Sequence, residues 1–177
     1  HEVAHGLCIK TTLDGSGTVR QALKEHASAL EEGKADILGL YMVQRLRELG
    51  EITEGELMDN YVTFLAGIFR SVRFGASSAH GRANMIRFNY FSDAGAFTRD
   101  PETGTYRVNV VEFEQAVKDL SNVLLVLQGD GNYEKVAAFV AENGNVGARL
   151  QADLNRLDAI SIPVDIVYQQ GREVLGL

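Results

Sequence analysis

The chain has 177 residues, and 17 lysines and arginines against 24 aspartates and glutamates give it a formal net charge of −7. This acidic balance, without a basic tract, disfavours nucleic acid as a partner, and no apolar run reaches the roughly 18 residues that a membrane helix needs. Hydrophobic residues make up 45% of the chain, which is enough apolar surface for a folded core.

The first predicted element is a helix at residues 1–5, which read HEVAH. No helix-starting residues precede it, so we expect the chain to be a fragment of a longer protein. A loop at 14–17 follows, and Thr18 can then cap a long helix. Apolar residues recur at helical spacing over 19–49, until Gly50 ends the pattern.

The rest of the chain is predicted to be mostly helical as well. Alternation of apolar and polar residues after the turn at 98–104 predicts one short strand. The tail at 160–168 is rich in β-branched residues and contains Pro163, which is typical of an extended edge segment. The remaining predicted elements are helices over about 53–74, 77–94, 111–128, 133–142 and 146–157 and the strand over 105–110. We therefore expect a mainly α fold with one small β element, forming a single helical domain over 1–177.

Histidines in the first predicted helix indicate a metal site. Cys8 is the one cysteine, which excludes a cysteine-rich zinc framework, and we expect it to be a small core residue. On an α-helix, residues four apart share a face, so His1 and His5 can direct two imidazoles at one ion. Glu2 completes the His-Glu-x-x-His pattern, in which two histidines bind Zn²⁺ and the glutamate acts as general base.

A third ligand is offered by the acidic segment on the long predicted helix. Glu32 and Asp36 are four residues apart and would share a largely small or apolar face, where like charges repel unless a cation is present. Glu32 is thus the candidate third ligand, with Asp36 or Glu31 as the acceptor that orients a ligand histidine. The alternative interpretation is a solvated acidic helix face paired with Lys34.

At these residues the sequence resembles the dipeptidyl peptidase III family of zinc exopeptidases. That family pairs a His-Glu helix motif with a later Glu-Glu-x-Arg/Lys-Ala-Glu/Asp motif, which is matched by residues 31–36, EEGKAD. Residues 79–83, AHGRA, resemble the family segment whose histidine helps to hold the substrate or the transition state. The resemblance is closest over residues 1–97.

The resemblance implies roles for seven residues. They are the zinc ligands His1, His5 and Glu32, the catalytic base Glu2, the ligand-supporting carboxylates Glu31 and Asp36, and the transition-state histidine His80. The chain departs from the family at two places. Only Val3 and Ala4 separate Glu2 from His5, which is the spacing of thermolysin-like enzymes, and Asn84 stands where better-known members carry an arginine.

The motif predicts peptide hydrolysis through zinc-bound water, and the resemblance implies the activity of a dipeptidyl-peptidase-like exopeptidase. The expected partners are a peptide substrate and an N-terminal lobe of the same protein that is missing from this chain, with no nucleic acid and no membrane. Two alternatives stay open: a thermolysin-like endopeptidase, and a non-catalytic helical fragment that serves packing or partner binding. The expected location is the cytoplasm.

Overall fold

A computed structural model describes residues 1–7, 9–160, 162, 168–174 and 176. Cys8 and most of the predicted edge segment, including Pro163, lie outside these described residues. The chain divides into two compact units, His1–Gly147 and Ala148–Leu177, so the prediction of a single domain stays a prediction. Among the described helices, none has the length and apolar composition that crossing a membrane requires.

The fold is mainly α with one small sheet, as predicted. Among the described residues, seven α-helices lie in the first unit and one in the second: α1 (Glu2–Gly6), α2 (Val19–Leu23), α3 (Ala27–Glu48), α4 (Leu57–Val72), α5 (Ala79–Asp93), α6 (Val110–Asp130), α7 (Tyr133–Asn143) and, in the second, α8 (Ala148–Ala159). The sheet pairs β1 (Phe97–Arg99) with β2 (Tyr106–Val108) in antiparallel register, Phe97 opposite Val108. The strand β1 was not predicted, because two of its three residues, Thr98 and Arg99, lie within the strong turn signal at 98–104.

The predicted continuous helix over 19–49 is wrong, because a 3₁₀ turn at Lys24–His26 separates α2 from α3. Lys24 adopts a positive φ of 50°, which is unfavourable for a residue with a side chain. Contacts from α7 hold the turn: the Tyr133 hydroxyl donates a 2.5 Å hydrogen bond to Glu25, and the Lys24 ammonium lies 4.8 Å from the Tyr133 ring centre. Tertiary contacts therefore override the local helical pattern.

The central helix of the first unit is α3, which packs against α1, α5 and α6. Its buried residues include Leu30, Ala35 and Ile37, each fully shielded from solvent. The short α1 is fastened to α3 by Ala4, which packs with Ala35 and Leu38. This packing brings the two ends of the predicted metal site together.

The helices α4 and α5 begin at side-chain caps. The Glu56 side chain accepts from an amide of the first turn of α4, and Asp59 accepts from the Glu56 amide, so the capping residue lies three residues beyond the predicted start of this helix at residue 53. Ser78 caps α5 by accepting a 3.0 Å hydrogen bond from the Gly81 amide. The Ser78 cap fixes the start of α5, where His80 lies.

Candidate metal centre

Three predicted ligands meet where α1 crosses α3. The His1 Nε2 and His5 Nε2 atoms are 3.0 Å apart. The Glu32 Oε2 atom lies 3.4 Å from the first and 3.7 Å from the second. His1, which immediately precedes α1, and His5, which lies in it, converge because they are one helical turn apart, and Glu32 faces them from the second turn of α3.

The opposite edge of each imidazole contacts a carboxylate. His1 Nδ1 is 2.5 Å from Asp36 Oδ1, and His5 Nδ1 is 2.8 Å from Glu31 Oε1. An ionised carboxylate can only accept a hydrogen bond, so the ring nitrogen that contacts it must be the donor. In the neutral form, each imidazole therefore carries its proton on Nδ1, and the two Nε2 atoms direct their lone pairs toward each other. Two lone pairs and the Glu32 oxygen then converge on one point, an arrangement that a cation stabilises.

The donor geometry fits zinc. The circle through the three donor atoms has a radius of about 2.0 Å, so an ion near its centre lies about that far from each atom. Zinc binds imidazole nitrogen and carboxylate oxygen at about 2.0–2.2 Å. Glu32 Oε2 is buried and has no hydrogen-bond partner in the described part of the chain. A buried carboxylate oxygen without a donor is costly, so an ion at this point accounts for its position. The three candidate ligands His1, His5 and Glu32 are thus arranged as three of the four positions around a zinc ion would be.

Glu31 is held in place by three donors. Besides the His5 contact, its carboxylate accepts a 2.9 Å hydrogen bond from the Lys34 ammonium and a 3.0 Å hydrogen bond from the Gln128 amide on α6. The Lys34 side chain is 0% exposed, so the acidic segment is not the solvated face of the alternative interpretation, although the ion pair with Lys34 does form. The buried ammonium compensates the charge of Glu31.

Asp36 begins a chain of hydrogen bonds that runs through α5 to α4. Its second carboxylate oxygen accepts from the Arg87 guanidinium, which is 2% exposed and also donates to Asn84 Oδ1 at 2.5 Å. Asn84 in turn donates a 2.8 Å hydrogen bond to Ser71 Oγ. Burial lowers the pKa of Arg87 from its ordinary value, and the neighbouring Asp36 charge opposes that shift. Asn84 is therefore a buried support for Arg87.

The two predicted catalytic residues lie at the rim of the donor set. His80 Nδ1 is 3.5 Å from Glu32 Oε2, and its side chain is 64% exposed. Glu2 Oε1 lies 3.8 Å from His1 Nε2, with the side chain 90% exposed. All seven predicted residues are thus near one another, while the roles assigned to them stay predictions. Sequence reasoning did not identify Arg87 or Gln128, which reach the site from other helices.

This fold and donor set define a mainly helical segment with a His-His-Glu cluster. No family model matches the chain. Its similarity to solved structures of dipeptidyl peptidase III confirms the resemblance predicted from the motifs. The enzyme from Caldithrix abyssi has a TM-score of 0.87 at 38% identity over 94% of this chain and 32% of its own. The enzyme from Corallococcus sp. strain EGB has a TM-score of 0.82 at 36% identity, with the same coverage.

A relative with a different name has a similar level of sequence identity to this chain. Nudix hydrolase 3 of Arabidopsis thaliana is 38% identical over 169 residues, which are 94% of this chain and 22% of that protein. The chain thus spans about a third of the two dipeptidyl peptidase III chains and about a fifth of the Arabidopsis protein. All three relatives are hydrolases by name, and the chain is a dipeptidyl peptidase III-like segment.

Proposed function

We propose that this chain is the metal-binding part of a zinc-dependent peptidase of the dipeptidyl peptidase III kind. The observation that carries the proposal is the triangle of His1 Nε2, His5 Nε2 and Glu32 Oε2, in which the buried carboxylate oxygen accepts no hydrogen bond from the described residues. A zinc site that keeps one open position is the arrangement of hydrolytic zinc enzymes. Structural zinc sites instead use four protein ligands.

His1, His5 and Glu32 would hold the ion, and their supports Asp36 and Glu31 fix the two imidazole orientations. Zinc, when bound, supplies Lewis acidity, which polarises a carbonyl and lowers the pKa of water to about 7. Glu2 acts as the general base: its exposed carboxylate lies at the edge of the donor set and accepts a proton at Oε1 or Oε2. His80 donates a hydrogen bond to the oxyanion that forms on the substrate.

The substrate in this proposal is a peptide, and the chain acts together with an N-terminal lobe that forms the opposite side of the cleft. The matched structures are about three times as long as this chain, which supports such a partner. Release of dipeptides is the proposed mode, and the expected location is the cytoplasm. The activity that the name of the Arabidopsis relative denotes is not proposed for this chain, because the chain matches only 22% of that protein.

The test is hydrolysis of a peptide with a free N-terminus by zinc-loaded protein that contains both this chain and the proposed N-terminal lobe, followed by mass spectrometry of the products. We expect N-terminal dipeptides from the wild type, and a rate lower by about 10²–10⁴ in Glu2→Gln at unchanged zinc content. Glu134→Gln, an exposed glutamate in the first turn of α7, is the matched control and should keep full activity.

Three other outcomes of this experiment would contradict the proposal. Internal fragments without dipeptides would assign the endopeptidase alternative. No cleavage at full zinc occupancy would favour the non-catalytic fragment, and cleavage that Glu2→Gln leaves unchanged would remove Glu2 as the base.

A further inference from the structure

A cleft of about 440 Å³ lies directly beside the donor triangle. His5, Glu31 and Glu32 form one part of its lining, so the cleft and the candidate metal centre share a wall. Two cations, Lys10 and Arg20, belong to the same lining. A group bound between these walls would be within reach of both the metal centre and the cations.

The backbone sets the two cations side by side. Thr11 and Thr18 form an isolated antiparallel bridge, and the Val19 amide donates a 3.1 Å hydrogen bond to the Lys10 carbonyl. Lys10 therefore lies next to the first turn of α2, where Arg20 is located. This pairing is fixed by main-chain hydrogen bonds and does not depend on the flexible ends of the two side chains.

Neither cation is paired with a carboxylate in the ranges that the structure describes, and both are exposed. The two carboxylates that line the cleft contact other side chains instead of these two cations. Glu31 accepts from His5, Lys34 and Gln128, and Glu32 points to the two histidines. On a chain with a net charge of −7, two neighbouring cations without acidic partners make this wall locally positive.

We propose that Lys10 and Arg20 bind a carboxylate of the peptide substrate, so that the enzyme favours peptides with a negative charge in this cleft. This inference rests on the proposed function and specifies which class of peptide the enzyme favours. Arginine and lysine are the side chains that form charge-assisted hydrogen bonds to carboxylates. The carboxylate can be the C-terminus of a short peptide or an acidic side chain, and the experiment separates these two sources.

The experiment compares peptides that differ by one charge. One pair ends in a free carboxylate or in an amide, and a second pair carries glutamate or glutamine at a single position that is varied along the peptide. For the preferred carboxylate, Lys10→Gln and Arg20→Gln should each raise KM about fivefold with unchanged kcat, an effect that added salt diminishes. The uncharged peptide of the same pair should change less than about twofold.

Lys118→Gln is the matched control. It removes the same charge from the middle of α6, about 15 Å along that helix from Gln128, and should leave both peptides of each pair unaffected. Equal effects of Lys10→Gln on charged and uncharged peptides would overturn the inference. So would the absence of any effect of either cation variant.

A binding measurement separates this inference from the proposed function. Fluorescence anisotropy of labelled peptides on zinc-loaded full chain reads the carboxylate preference without cleavage, and zinc content reads the metal site. Tighter binding of the charged peptide that is lost in Lys10→Gln supports the cation pair even where no hydrolysis occurs. Equal binding of charged and uncharged peptides by a zinc-loaded, active protein refutes the cation pair and leaves the peptidase proposal intact.

Discussion

At the scale of single residues, each of the two candidate histidine ligands contacts a carboxylate that is itself held by a buried cation. Asp36 holds His1 and is held by Arg87, and Glu31 holds His5 and is held by Lys34. Since both cations are buried, each carboxylate keeps a defined orientation while its charge is compensated. The histidines are consequently oriented before any ion binds.

The first prediction concerns the buried ion pair of Arg87 and Asp36. Arg87→Met should lower the free energy of unfolding of the metal-free protein by about 3 kcal/mol, because it leaves a half-buried carboxylate without its cation. Arg45→Met breaks an exposed pair with Glu48 on α3 and should cost less than about 1 kcal/mol. Urea denaturation measures both variants, and equal losses would contradict a special role of Arg87.

The sequence predicts some site residues and misses others for a physical reason. His1 and His5 are recognisable because their spacing of four depends only on helix geometry. Arg87 lies 51 residues from Asp36 and Gln128 lies 97 residues from Glu31, so their contacts depend on how α5 and α6 pack onto α3. A buried arginine or glutamine has no local pattern that distinguishes it from a surface residue.

At the scale of secondary-structure elements, the helices can be predicted from local sequence patterns, whereas the break between α2 and α3 cannot. Ser78 begins α5 within two residues of the predicted start, because a cap is local. The turn at Lys24–His26 depends on Tyr133, which is more than 100 residues away in the sequence. Apolar spacing alone cannot anticipate such a contact.

The crossing of α1 and α3 gives the second prediction. A Cβ on Gly39 would lie 3.1 Å from the His1 backbone nitrogen, whereas a Cβ on Gly67 in α4 meets no atom within 4 Å. Gly39→Ala should displace α1 and weaken zinc binding about tenfold, as measured by competition with a chelator. Gly67→Ala should leave zinc affinity unchanged and raise the free energy of unfolding by about 0.5–1 kcal/mol. Unaltered zinc affinity in Gly39→Ala would contradict a close-packed crossing.

The third prediction is a pH dependence at the junction of α3, α4 and α6. Tyr61 is fully buried, stacks on Phe113 with 4.4 Å between ring centres, and accepts a 2.5 Å hydrogen bond from the Gln44 amide. Burial raises the pKa of Tyr61 from 10.0 to about 12. Because the folded protein favours the neutral phenol, the stability this group contributes is complete below pH 10 and is lost as pH rises from 10 to about 12.

Denaturation at a series of pH values tests this assignment. The fall in stability above pH 10 should be smaller in Tyr61→Phe, which cannot ionise, than in the wild type. Tyr168→Phe removes an exposed tyrosine and should retain the wild-type slope. A slope in Tyr61→Phe equal to that of the wild type would contradict the buried phenol.

At the scale of the whole molecule, the candidate metal centre lies entirely within the unit His1–Gly147. Its seven predicted residues come from three helices, α1, α3 and α5, and from the residue preceding α1. The matched dipeptidyl peptidase III chains are about three times as long, so peptide binding is proposed for the longer protein. Zinc binding is the part of the proposal that involves residues of this unit alone.

Zinc content after dialysis against metal-free buffer is the most direct test of this central claim. The wild type should retain about one zinc ion per chain. Glu32→Ala should retain far less, while Glu112→Ala, in the first turn of α6, should match the wild type. A zinc-free wild type, or a Glu32→Ala variant that keeps its zinc, would contradict the account.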